Sequence, residues 1–127
     1  MRRHLSLALA AALLSTGCLA AAAAGAAGGV YLTTRGAESV VEGSVADVAA
    51  RAEAVMGEMG IVKEGESTED QGDKQVLKGK QGDLDVNIDI DRESPTTTKV
   101  EVTARKNLAE WDKDYAKEVL SRIVQKG

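Results

Sequence analysis

Asp83-Leu84-Asp85-Val86-Asn87-Ile88-Asp89-Ile90-Asp91 is the stretch that decides the architecture. Apolar and polar residues alternate without a break, and successive side chains of a β-strand point to opposite faces. The segment is therefore a strand with Leu84, Val86, Ile88 and Ile90 in a core and the Asp and Asn residues in water. Short turns flank it: Gln81-Gly82-Asp83 before and Ser94-Pro95-Thr96 after. Lys74 to Lys80 leads in as another strand. Thr98 to Arg105 leads out, with Val100, Val102 and Ala104 inward and Lys99, Glu101, Thr103 and Arg105 outward. Hairpin-length connections imply an antiparallel sheet, in which Lys99, Glu101, Thr103 and Arg105 face the acidic strand as cross-strand charge pairs.

Further out, Ala37 to Glu42 and Ile61 to Ser67 also have the texture of strands. Between them Ser44 is placed to cap a helix, with Asp47 three residues on. Val45, Val48, Ala49, Ala52, Val55, Met56 and Met59 recur at three- and four-residue steps, one buried helical stripe that Gly60 ends. Trp111, Tyr115, Val119 and Ile123, flanked by Ala116, Leu120 and Val124, give a second amphipathic helix that starts at Trp111. Lys126 suits its negative end. The expected order is β-α-β-β-β-β-α. That is an α+β two-layer sandwich: an antiparallel sheet of about four to five strands, with both one-sided helices on one face.

The acidic strand superficially resembles the start of a calcium loop. Such a loop needs Gly at its sixth position and a bidentate Glu at its twelfth, where this chain has Ile88 and Ser94. Outward residues on one strand lie about 6.6–7 Å apart, too far to close around one cation. No metal site is expected here.

The amino-terminal part has a different texture. Met1-Arg2-Arg3-His4 is basic, Leu5 to Leu14 is apolar, and Leu13-Leu14-Ser15-Thr16-Gly17-Cys18 ends on the only cysteine of the 127 residues. A basic start, an apolar stretch and small residues before a cleavage point are the parts of an export signal. From Ala20 to Gly29 every residue is Ala or Gly.

This segment resembles the signal peptide of bacterial lipoproteins. The resemblance implies cleavage between Gly17 and Cys18 and lipidation of Cys18, although Ser15 stands where Leu is commonest. Residues 1–17 are then the signal peptide, 18–35 the lipidated cysteine with an Ala/Gly tether, and 36–127 the folded domain. Leu19 in place of Asp implies the outer membrane, facing the periplasm. Two or three acyl chains anchor stably, at about 0.8 kcal/mol per buried methylene. The alternative is an uncleaved helical anchor, since no charge falls between Leu5 and Thr34; against it, Ala and Gly partition weakly into lipid. With Arg35-Gly36 opening a strand, Ser44-Val45-x-x-Val48 starting a helix, Met59-Gly60-Ile61 leaving it and an amphipathic helix closing the chain, the whole resembles a family of short α+β bacterial lipoproteins. That likeness implies fold and location, and it brings no catalytic residues.

Composition narrows the function. The chain has 16 basic and 20 acidic residues. Losing Arg2 and Arg3 with the leader leaves 14 basic against 20 acidic, a net charge of −6. Nucleic acid is therefore not the expected partner, because phosphate binding needs a basic face. His4 is the only histidine and leaves with the signal peptide, while lipidation consumes Cys18. Ser-His-Asp and Cys-His catalysis are thereby removed, as are zinc sites built on His or Cys. No phosphate-binding glycine loop is present. The carboxylate runs Glu110, Asp112, Asp114 and Glu64, Glu66, Glu69, Asp70 are read as solvated surface rather than an acid–base pair. The chain is expected to be no enzyme and to need no cofactor.

Phe is absent, so the aromatic inventory is Tyr31, Trp111 and Tyr115. Trp111 and Tyr115, four residues apart, are expected to stack on one helix face. There they close the core or, in the functional alternative, anchor a partner, since Trp and Tyr are enriched at binding hot spots. Two functions follow. The first is an accessory envelope lipoprotein, tied to the membrane through Cys18, that engages a protein through the open sheet face or an edge strand. The second is a small-ligand module with a pocket among Val48, Met56, Val102 and Val119. A hydrolase using carboxylates alone is the weakest reading.

Overall fold

A computed structural model of the chain describes residues 29–127. The leader, Gly17, Cys18 and most of the tether lie outside the described residues. Six strands and two helices follow in order: β1 Tyr31–Leu32, β2 Gly36–Glu42, α1 Val45–Glu58, β3 Val62–Glu69, β4 Lys74–Gln81, β5 Leu84–Arg92, β6 Thr97–Arg105 and α2 Lys113–Lys126. They form one sheet of order β1-β2-β6-β5-β4-β3, antiparallel throughout. The α+β class and the element order match the sequence reading. The strand count is six rather than four to five, because Tyr31 and Leu32, read as tether, pair with Glu38 and Ala37 of β2.

The register explains the core. Ala37, Val102, Ile88 and Leu77 stand side by side across β2, β6, β5 and β4, and all four are fully buried. Both helices lie on this side, where Val48, Ala52 and Val55 of α1 and Ala116, Val119, Leu120 and Ile123 of α2 join the same cluster. α1 carries the chain across the sheet, from β2 near one edge to β3 at the other.

Its ends are set locally. Ser44 Oγ accepts the Asp47 N–H at 3.1 Å, satisfying one of the unpaired donors of the first turn. At the other end Gly60 takes a φ of +69°, and Ile61 N–H reaches back to Met56 O at 2.8 Å. That backbone reversal favours glycine, and it drops Ile61 into the core.

β3 differs from the other long strands. Seven of its eight residues are exposed, the pairing register slips between Lys63 and Gly65, and it has a partner on one side only.

α2 begins two residues later than the sequence reading. Asp112 is its cap, accepting the Tyr115 N–H at 2.9 Å. Trp111 precedes the helix and pairs as an isolated bridge with Arg105 of β6. It therefore does not share a helix face with Tyr115. Among the described residues no helix is long and apolar enough to cross a membrane.

Candidate functional site

The face of the sheet away from the helices carries the outward residues of every central strand. Register places them in transverse rows: Arg105–Asp85–Lys80, then Thr103–Asn87–Lys78, then Glu38–Glu101–Asp89, then Lys99–Asp91–Lys74. Directly opposed side chains on an antiparallel pair have Cβ atoms about 4.5–5.5 Å apart, so neighbours in a row feel each other's charge.

Asp85 and Asp91 are both neutralised, but from the side opposite to the expected one. Lys80 Nζ lies 3.6 Å from Asp85 and Lys74 Nζ 3.9 Å from Asp91, both from β4 rather than β6. Arg105, although in register with Asp85, turns to the loop that follows β6. Its Nε donates to Asn107 O at 2.9 Å and its Nη2 to Leu108 O at 3.0 Å. Two more hydrogen bonds, from Ala109 and Glu110 N–H to Asn107 Oδ1, fix this loop.

The third row has no such relief. Glu38, Glu101 and Asp89 are consecutive neighbours across β2, β6 and β5, and none of them takes part in an ion pair among the described residues. Asp89 accepts one hydrogen bond, from Asn87 Nδ2 at 3.0 Å. Partial burial and then the charges of Asp89 and Glu38 push the Glu101 carboxyl above its usual range, while Lys99 and Arg35 offset only part of this. Among the described residues no three acidic, Cys or His groups converge closely enough to hold a metal ion.

A groove of about 620 Å³ runs over this face from Glu64 and Gly65 on β3, past Lys78, Asn87 and Thr103, to Trp111 and Arg35. Trp111 stands half-buried at its end. The guanidinium of Arg105 lies 5.2 Å and that of Arg35 5.5 Å from its ring centroid, within the range of a cation–π attraction. The ring is held outside the core by charged neighbours.

Tyr115 lies on the other side of the sheet, packed against the core. Among the described residues its buried hydroxyl has no hydrogen-bond partner, and burial raises its pKa above the usual tyrosine value. The stacked Trp111–Tyr115 pair expected from the sequence does not form. Val48, Met56, Val102 and Val119, the expected lining of a pocket, are all buried in the core cluster. Of the carboxylate runs, Asp112 is used as a helix cap. Glu66 binds Lys63 at 3.0 Å, which lowers its pKa.

Sequence reasoning put Glu101, Asp89 and Asn87 outward but did not single them out, and it gave Arg35 no place at the site. The missing information was the β2–β6 pairing, which joins residues such as Glu38 and Glu101 from opposite ends of the domain and leaves no local periodicity.

The fold and this face define a small α+β domain with a filled helical side and an open, charged, grooved side. Residues 3–123 match a family described as "Protein of unknown function (DUF3568)", and the chain belongs to that family. No curated protein and no solved structure matches it.

Proposed function

We propose that this is a lipid-anchored lipoprotein of the bacterial cell envelope, held through Cys18 at the outer membrane and facing the periplasm. In this reading it has no enzymatic activity and serves as an accessory module that engages a protein partner through the open sheet face. Trp111 carries the reading. It is the chain's only tryptophan, and it is braced by Arg35 and Arg105 at the end of a groove instead of being spent on the core. Aromatic and arginine side chains in such positions are the usual anchors of protein interfaces. The helical side supports the same surface, because its apolar residues, Val48, Met56, Val102 and Val119 among them, are buried in one core cluster. The Leu13-to-Cys18 motif supports the anchor, and the family match takes in that segment together with the domain.

Two measurements test this. Labelled palmitate is expected in the wild-type chain and absent from Cys18→Ser; an intact leader by mass spectrometry favours the uncleaved anchor instead. In-cell photocrosslinking from Thr103 on the open face is expected to capture a specific envelope protein that a crosslinker at Lys117 on α2 does not. Equal yields from both positions would remove the open face from the proposal. A periplasmic small-ligand module remains the second reading, favoured by a groove volume within the ordinary range for ligand sites, about 300–1,000 Å³.

A further inference from the structure

The groove has a charge pattern that selects its occupant. Outside the row Glu38–Glu101–Asp89, the aspartates Asp85 and Asp91 each have a lysine within 4.0 Å. That row has none, and its like charges face one another at adjacent register positions. Arg35 and Arg105, the cations nearest the groove's end, are directed at the Trp111 ring. Lys78 lines the trough without an ion pair among the described residues. Position 65 is glycine, and nothing lies within 4 Å of where its Cβ would stand, so the trough is unobstructed over β3.

We infer that the groove receives an extended, basic segment of the partner protein, lying across the strands, with its Lys or Arg side chains against Glu101 and Asp89 in the groove and Glu38 in register beside it, and a neighbouring side chain against Trp111. The inference rests on the open-face reading above. Three carboxylates on adjacent strands span about 10 Å, from a spacing of roughly 4.8 Å per strand. An extended chain presents its i and i+2 side chains about 6.6–7 Å apart, so two basic residues on one side of it reach all three. A second copy of this face brings carboxylates against carboxylates. An anionic lipid surface or a nucleic acid meets the same repulsion.

Trp111 reports directly on the groove, and the full chain in neutral detergent is the form to use. A capped decapeptide of alternating Lys and Ser is expected to quench Trp111 fluorescence saturably, and the Glu–Ser counterpart is not. Affinity is expected to fall with added NaCl, as screening requires, and about tenfold in Glu101→Gln, the loss of one charge-assisted contact. Glu93→Gln, outside the groove, is expected to bind as wild type. Because quenching reads only the ring, calorimetry on the same samples measures binding at the carboxylates independently. No binding of the basic peptide, equal binding of the acidic one, an unchanged affinity in Glu101→Gln, or equal quenching by neutral chitotriose would overturn the inference. Should crosslinks from Thr103 land on a neutral or acidic segment of a partner, the interaction-module reading stands and this inference falls.

Discussion

The two faces of the sheet are made by the same strands and obey opposite rules. On the helical face Ala37, Val102, Ile88 and Leu77 form a continuous buried row. One residue along each strand, the open face presents Glu38, Glu101 and Asp89, a row of repelling charges. The contrast teaches that stability and recognition are separable here at single-residue resolution. A one-residue change of position along β5 passes from the centre of the core to the wall of the groove, because side chains alternate with period two.

The sharpest way to break this comparison is to mutate neighbours. Ile88→Ala is expected to cost about 2–5 kcal/mol by leaving a cavity, whereas Asp89→Ala changes stability by no more than about 0.5 kcal/mol. Urea denaturation of the two variants checks both, and similar losses would mean that the faces are not distinct.

Gly79 gives the next largest effect. A Cβ there would stand 2.7 Å from Ile61 Cγ2 and 2.7 Å from Met56 Cε, so Gly79→Ala overpacks the helical side. The expected loss is about 1–3 kcal/mol, read as a lower denaturation midpoint.

On the open face the sign reverses. The Glu101 carboxyl is raised above its usual range in the folded state, so its charge destabilises the fold at neutral pH. Wild-type stability is therefore expected to rise as pH falls through that raised pKa. The gain is complete once the unfolded chain is protonated as well, below the ordinary glutamate value. Glu101→Gln is expected to stabilise by about 0.5 kcal/mol at neutral pH, with no difference from wild type in acid. Thermal melts at several pH values check this, and a Glu101→Gln melt below wild type at neutral pH would contradict it.

The smallest effect belongs to the one aromatic hydroxyl on the helical side. The buried Tyr115 hydroxyl has no partner among the described residues, so Tyr115→Phe is expected to leave stability unchanged or raised by a few tenths of a kcal/mol, roughly. A clear loss in calorimetry would reveal a hydrogen bond to that hydroxyl.

Much of the fold was legible because its signals are local. The Val45-to-Met59 stripe, the Ser44 cap, the Gly60 stop and the strict alternation from Leu84 to Ile90 each lie within a few residues, and each stands where expected. β1 escaped because two residues are too few to show a period. Trp111 was misplaced because its four-residue spacing from Tyr115 fits a helical stripe, although Asp112 between them is a good cap residue and marked the true start. The candidate site was the least legible part. Its outward residues could be named, but which of them stand together depends on β2 pairing with β6 and on Arg105 turning from Asp85 to the loop carbonyls. The first is a long-range outcome of packing, and the second is a choice between a cross-strand and a loop partner that residue spacing does not reveal.

β3 carries a consequence for how copies of this chain would meet edge to edge. Among the described residues its outer edge has no strand partner, and an unpaired edge elsewhere invites neighbouring chains to zip together into fibrils. Here Glu64, Glu66 and Glu69 make that border acidic, and the slip at Lys63/Gly65 kinks it. Two copies brought together along this border would repel, so the sheet ends with a built-in safeguard against polymerisation.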